Sequence, residues 1–85
     1  ASAYHEASGR AMDVYTDLPG VQFYTGNWLG GEKGKDGASY EDRDAFCFET
    51  QMYPDSVNHP QFPSPVVKAG TAHVTRTSYR FYIGK

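Results

Sequence analysis

Glu49 and Gln22 are the side chains whose type and setting best suit chemistry on a small polar molecule. Glu49 lies within Phe46-Cys47-Phe48-Glu49-Thr50-Gln51. A period of two there sets Phe46, Phe48 and Thr50 on one face and Cys47, Glu49 and Gln51 on the other. A mid-strand carboxylate among two Phe and a Cys is expected to be poorly solvated, and desolvation makes a carboxylate a stronger base. Such a group suits general-base work on a polar ligand docked against its face. The same pattern also admits a structural reading, in which the face is wet or Arg76 or Arg80 of a neighbouring strand pairs with Glu49. On pattern alone this structural reading is the commoner one. Gln22 lies on the polar side of Val21-Gln22-Phe23-Tyr24, with Asn27-Trp28 just beyond. Amides beside aromatic rings supply what a sugar needs, hydrogen bonds for its hydroxyls and an apolar plate for its C–H face, although Tyr and Trp also pack ordinary cores.

Other chemistries fit less well. Gly30-Gly31-Glu32-Lys33-Gly34-Lys35-Asp36 invites a phosphate-binding reading. A P-loop, however, requires a first Gly where Leu29 stands and a hydroxyl where Asp36 stands. We expect a solvated, mobile loop. His5, His59 and His73 form no HxH or HxxxH pair and Cys47 has no His near it in sequence, so no metal site is expected. Asp55 and His59 are four apart, but prolines on both sides argue against a regular helix, and His59 reads as a loop residue bonded through one nitrogen.

The elements that must position these groups are β-strands. Leu18, Leu29 and Ile83 are the only Leu or Ile residues, and seven Tyr, five Phe and one Trp carry much of the apolar load. A net charge of −2 is too low for the usual signature of disorder. A chain of this size buries only about 60–65% of its unfolded surface, so the core is expected to be thin. Alternation predicts strands over 11–16, 21–25, 45–51 and 72–83, with the Asp17-Leu18-Pro19-Gly20 turn between the first two. Four of the five prolines fall in 53–65, which reads as an aromatic-proline loop with one helical turn near 55–58. Ser8-Gly9-Arg10 opens the first ordered segment, and Val66-Val67 is too short to classify. The expectation is an all-β, antiparallel chain whose strand edges are bare unless other strands cover them.

Composition excludes further classes. Eight scattered Lys and Arg do not make the basic face that nucleic acid requires. No apolar run approaches the ~18–20 residues of a membrane span, and none within residues 1–20 resembles a signal peptide. The single Cys47 has no partner for an internal disulfide, which fits a reducing compartment, and a cytoplasmic protein is expected. The chain begins at Ala1 without Met, from which we expect a processed chain or a piece of a longer one.

Several separated motifs, in order, resemble the C-terminal part of aldose 1-epimerases (galactose mutarotases). They are Pro19-Gly20-Val21-Gln22-Phe23-Tyr24-Thr25-Gly26-Asn27, Gly34-Lys35, Phe46-Cys47-Phe48-Glu49-Thr50-Gln51, Pro54-Asp55-Ser56-Val57-Asn58 and Phe62-Pro63-Ser64. Ser8-Gly9-Arg10 and Thr77-Ser78-Tyr79-Arg80-Phe81 fit as well, so the resemblance runs over nearly the whole chain. It departs at Ala45, where the family usually has Gly, and at Phe48, where it usually has Leu. The resemblance implies that residues 1–85 are the C-terminal segment of a single galactose-mutarotase-type β-sandwich domain. It implies interconversion of the α and β anomers of free aldoses such as glucose or galactose, with no cofactor or metal. It makes Glu49 the base that takes the anomeric proton and Gln22 a sugar-contacting amide. The family's histidine acid lies upstream of this segment, and none of His5, His59 or His73 occupies its motif. Alone, the chain is then expected to be inactive and to self-associate through exposed strand edges. The alternatives are a non-catalytic carbohydrate-binding or structural module of the same superfamily, and an epimerase of hexose 6-phosphates, which would need cationic phosphate contacts.

Overall fold

A computed structural model describes residues 1–84. Five strands form two antiparallel sheets. The first has the order β1-β2-β5, with β1 Ser2–His5, β2 Arg10–Thr16 and β5 Thr77–Ile83. The second pairs β3 Gly20–Tyr24 with β4 Cys47–Gln51. The all-β, antiparallel expectation holds.

Alternation along β2 and β5 decides what each side of the larger sheet presents. Met12 pairs with Phe81 and Val14 with Tyr79, so these four share one apolar face. Asp13 pairs with Arg80 on the other, where the guanidinium lies 3.8 Å from the Asp13 carboxylate and over the Tyr82 ring at 4.6 Å. β1 was not expected. Ser-Ala-Tyr-His carries no apolar alternation, and the segment is extended because it pairs with β2 around a tight return. There Gly9, at φ 71°, donates to the His5 carbonyl at 2.8 Å and Ser8 meets the His5 ring at 2.7 Å.

Asp17-Leu18-Pro19 carries the chain from one sheet to the other as a bend, and Gly20, expected within the turn, already belongs to β3. The apolar face of β3–β4 gathers Phe23, Phe46 and Phe48, with ring centroids 5.4–6.1 Å apart in edge and tilted arrangements. This cluster borders the Met12, Tyr79 and Phe81 face across an open groove of about 370 Å³. Thr50 and Thr77 join the sheets through a hydroxyl–hydroxyl bond of 2.8 Å.

The two sheets do not close on each other. Among the described residues, Ala11 and Val14 are the buried apolar side chains, while Phe81 is 73% exposed and Phe23 57%. The radius of gyration is 16.8 Å, against about 12 Å for a compact chain of this length. Both aromatic faces therefore remain largely open.

Two other expectations are corrected. The C-terminal strand begins at Thr77 rather than at 72, because Asp17 holds the preceding residue through bonds to both Arg76 backbone groups, at 3.0 and 3.2 Å, where the β2 ladder ends. The glycine-rich stretch is hydrogen-bonded rather than loose. A Lys33–Ser39 bridge, paired bonds between 31–32 and Tyr40, and Gly30 N–H donation to Asp42 tie it together. The helical turn expected near 55–58 is present, as a single 3-10 turn at Ser56–Asn58 entered through Asp55 at φ 59°.

Candidate functional site

The outer face of β3–β4 carries the two residues singled out from sequence. In the antiparallel register Gly20 faces Gln51, Gln22 faces Glu49 and Tyr24 faces Cys47. Period two puts Gly20, Gln22 and Tyr24 on one side of β3, opposite to Val21 and Phe23. Phe23 and Phe48 pair on the aromatic side of the ribbon, where Phe48 lines the groove toward the larger sheet, so Gln22 and Glu49 turn outward. Packing on one face thus sets the direction of the polar groups on the other.

Gln22 and Glu49 are directly opposite residues, whose Cβ atoms in such a ladder stand about 4.5–5.5 Å apart. Both are exposed. The expected poor solvation of Glu49 is not met in this chain: Phe46 and Phe48 flank it in sequence, but their rings gather on the opposite side. Of the structural alternative, the wet face is met and the ion pair is not. Arg80 is engaged with Asp13 and Tyr82, and Arg76 stands beside Asp17 at the far end of β2. Among the described residues, neither an ion pair nor a side-chain hydrogen bond engages Glu49 or Gln22.

Each end of this face is built by aromatic groups. At one end the Tyr24 hydroxyl accepts the Trp28 backbone N–H at 3.0 Å, which fixes the start of the loop leaving β3. At the other, Tyr53 folds back over Gly20, where a Cβ would stand 3.1 Å from the ring. Tyr53 packs edge-on against Phe62 at 5.1 Å, and the His59 ring lies 4.9 Å from Phe62. His59 Nε2 is 3.2 Å from the Asp55 carboxylate, and Asn58 donates to the same carboxylate at 2.5 Å. His59 is thus a loop residue bonded through one nitrogen, as its setting among prolines indicated. Nothing in the alternation pattern pointed to Tyr53, since its position depends on the chain reversing after β4.

His5 belongs to the β1–β2 return, and His73 is exposed in the segment before β5. Among the described residues, no three His, Cys, Asp or Glu side chains gather where they could share a metal ion. Cys47 is free and exposed beside Tyr24.

Comparison with known proteins gives these positions a family. Residues 1–80 match the family model described as aldose 1-epimerase. The galactose mutarotases of Homo sapiens and Bos taurus are each 49% identical over 84 residues, covering 98% of this chain and 25% of theirs. The aldose 1-epimerase of Escherichia coli (strain K12) is 38% identical over 72 residues, covering 82% of this chain and 21% of its own length. This chain therefore spans about a quarter of the length of the relatives it matches. A family match over residues 1–80, on strands that set Gln22 across from Glu49, shows that the chain belongs to the aldose 1-epimerase family.

Proposed function

We propose that the protein to which this chain belongs interconverts the α and β anomers of a free aldose such as galactose or glucose, and that Glu49 is the general base. The observation that carries this reading is the cross-strand pairing of Gln22 with Glu49 on a solvent-facing surface. A carboxylate beside a neutral amide can take a proton from a sugar hydroxyl while the amide holds a neighbouring oxygen.

The steps follow from that arrangement. Glu49 accepts the proton of the C1 hydroxyl, and the electron pair left on that oxygen forms the C1 carbonyl as the bond from C1 to the ring oxygen breaks. The ring oxygen takes up a proton from an acid, which we assign to a group outside these 85 residues. Rotation about C1–C2 presents the other face of the aldehyde, and attack by the ring hydroxyl closes the opposite anomer. Glu49 returns its proton to the C1 oxygen as the ring hydroxyl gives its proton back to the acid, so each turnover is balanced. Gln22, acting as both donor and acceptor, orients the sugar throughout.

Residues 1–85 are, on this reading, the C-terminal segment of one β-sandwich domain. The open aromatic faces and the 16.8 Å radius of gyration support a chain that packs against further strands. Such strands would also cover the site, giving Glu49 the low-dielectric setting that it lacks here. We place the protein in the cytoplasm, in keeping with the free and exposed Cys47 thiol.

The exposure of Glu49 in this chain is equally at home in a module that only binds sugar. Polarimetry of freshly dissolved α-galactose with the full natural chain separates the two readings. We expect equilibration far faster than the spontaneous rate. Sugar binding with no acceleration would replace the enzyme by the binding module.

A further inference from the structure

Tyr53 is used by neither the base nor the amide assignment, yet it stands on their face. A Cβ at Gly20 would lie 3.1 Å from Tyr53 Cδ1 and 3.3 Å from Cε1, so the ring rests on the side of β3 that Gln22 shares. Gly20–Gln51 is the same-face cross-strand pair next to Gln22–Glu49, about 7 Å along the strand. The ring is 39% exposed, so part of it remains open to a ligand.

The rest of the ring is held. Phe62 meets it edge-on at 5.1 Å, and His59 backs Phe62 at 4.9 Å. Asp55 anchors His59 at 3.2 Å, and the Ser56 hydroxyl donates to the Tyr53 carbonyl. Tyr53 is therefore a fixed plate rather than a free rotor, and Gly20 leaves room for it. A pyranose has hydroxyls at its rim and C–H groups on its faces. A fixed aromatic plate beside an amide and a carboxylate matches that division.

Resting on the aldose reading above, we propose that Tyr53 is the stacking plate for the C–H face of the sugar ring, setting substrate affinity. The aromatic face carries the effect, and the phenol hydroxyl does not. Gly20 is the residue whose lack of a side chain permits the contact.

The test uses the full natural chain with galactose as probe, reading mutarotation by polarimetry and contact by saturation-transfer NMR. Tyr53→Leu should raise KM about 10-fold or more and leave kcat within about 3-fold, whereas Tyr53→Phe and Tyr53→Trp should keep KM near the wild-type value. In the wild type, irradiation of aromatic protons should transfer to the C–H protons of one sugar face. A Leu variant with unchanged KM, a Phe variant as impaired as the Leu variant, or no aromatic transfer in the wild type would each overturn the plate. The transfer measurement decides the matter even if the Leu variant fails to fold. An active wild type with an unaffected Leu variant removes the plate and leaves the reaction. A wild type that binds galactose through an aromatic contact without accelerating mutarotation does the reverse, and one that does not bind removes both.

Discussion

Gln22 stands directly opposite Glu49 in the ladder that joins β3 to β4. The two are far apart in sequence, and the pairing follows from the aromatic side of the ribbon. With Phe23 opposite Phe48, and their rings 5.4 Å apart, the register of the polar face is set as well. A slip of one residue would turn Glu49 toward Met12 and Phe81 and send the phenylalanines into solvent.

Gln22→Ala should lower kcat/KM of the full natural chain about 3–10-fold, the effect of removing a hydrogen bond worth about 1 kcal/mol. Gln22→Glu tests the same proximity differently. Two carboxylates facing each other across a ladder hold protons more tightly, because the second charge forms against the first. The base form is then lost at higher pH, so the acid limb of the pH–rate profile should move upward. An unmoved limb would mean that the two side chains do not interact in the folded protein.

Gly20→Ala asks how tightly Tyr53 is seated. Its Cβ would stand 3.1 Å from the ring, closer than ordinary contact, so the ring or the strand must shift. We expect a loss of about 1–3 kcal/mol, read as a lower Tm, because crowding of a packed contact costs about that much. A melt matching the wild type would show that the loop after β4 gives way freely.

The strands were legible where the alternation is strong. β2, β3, β4 and the apolar half of β5 follow directly from residues such as Val14, Phe23, Phe48 and Phe81, and so does the outward direction of Gln22 and Glu49. β1 escaped because Ser-Ala-Tyr-His has no period of its own and is extended only through its partner. Tyr53 escaped for a similar reason: a residue placed by a chain reversal leaves no periodic trace. Motif resemblance pointed to the family that the comparison then showed, whereas the expected poor solvation of Glu49 is not met in this chain. The residues beside Glu49 in sequence are not its side-chain neighbours in space, because adjacent side chains in a strand point to opposite faces.

The isolated 85-residue chain should self-associate. Phe81 and Phe23 are mostly exposed, and both strands of the smaller sheet are edges. Sedimentation velocity should show a distribution that grows with concentration, and Phe81→Lys should shift it toward the monomer. A sharp monomer at all concentrations, with a concentration-independent melt, would contradict this.

The most direct test of the central claim is the mutarotation rate of Glu49→Gln in the full natural chain. The Glu49 side chain has no hydrogen-bonding or ionic partner among the described residues, so the change should alter stability by no more than about 0.5 kcal/mol, read as an almost unchanged Tm. Removing a general base should nonetheless lower kcat about 100- to 10,000-fold. A stable, sugar-binding and nearly inactive variant is the predicted result. A variant that equilibrates α-galactose within about threefold of the wild-type rate would show that another group takes the anomeric proton.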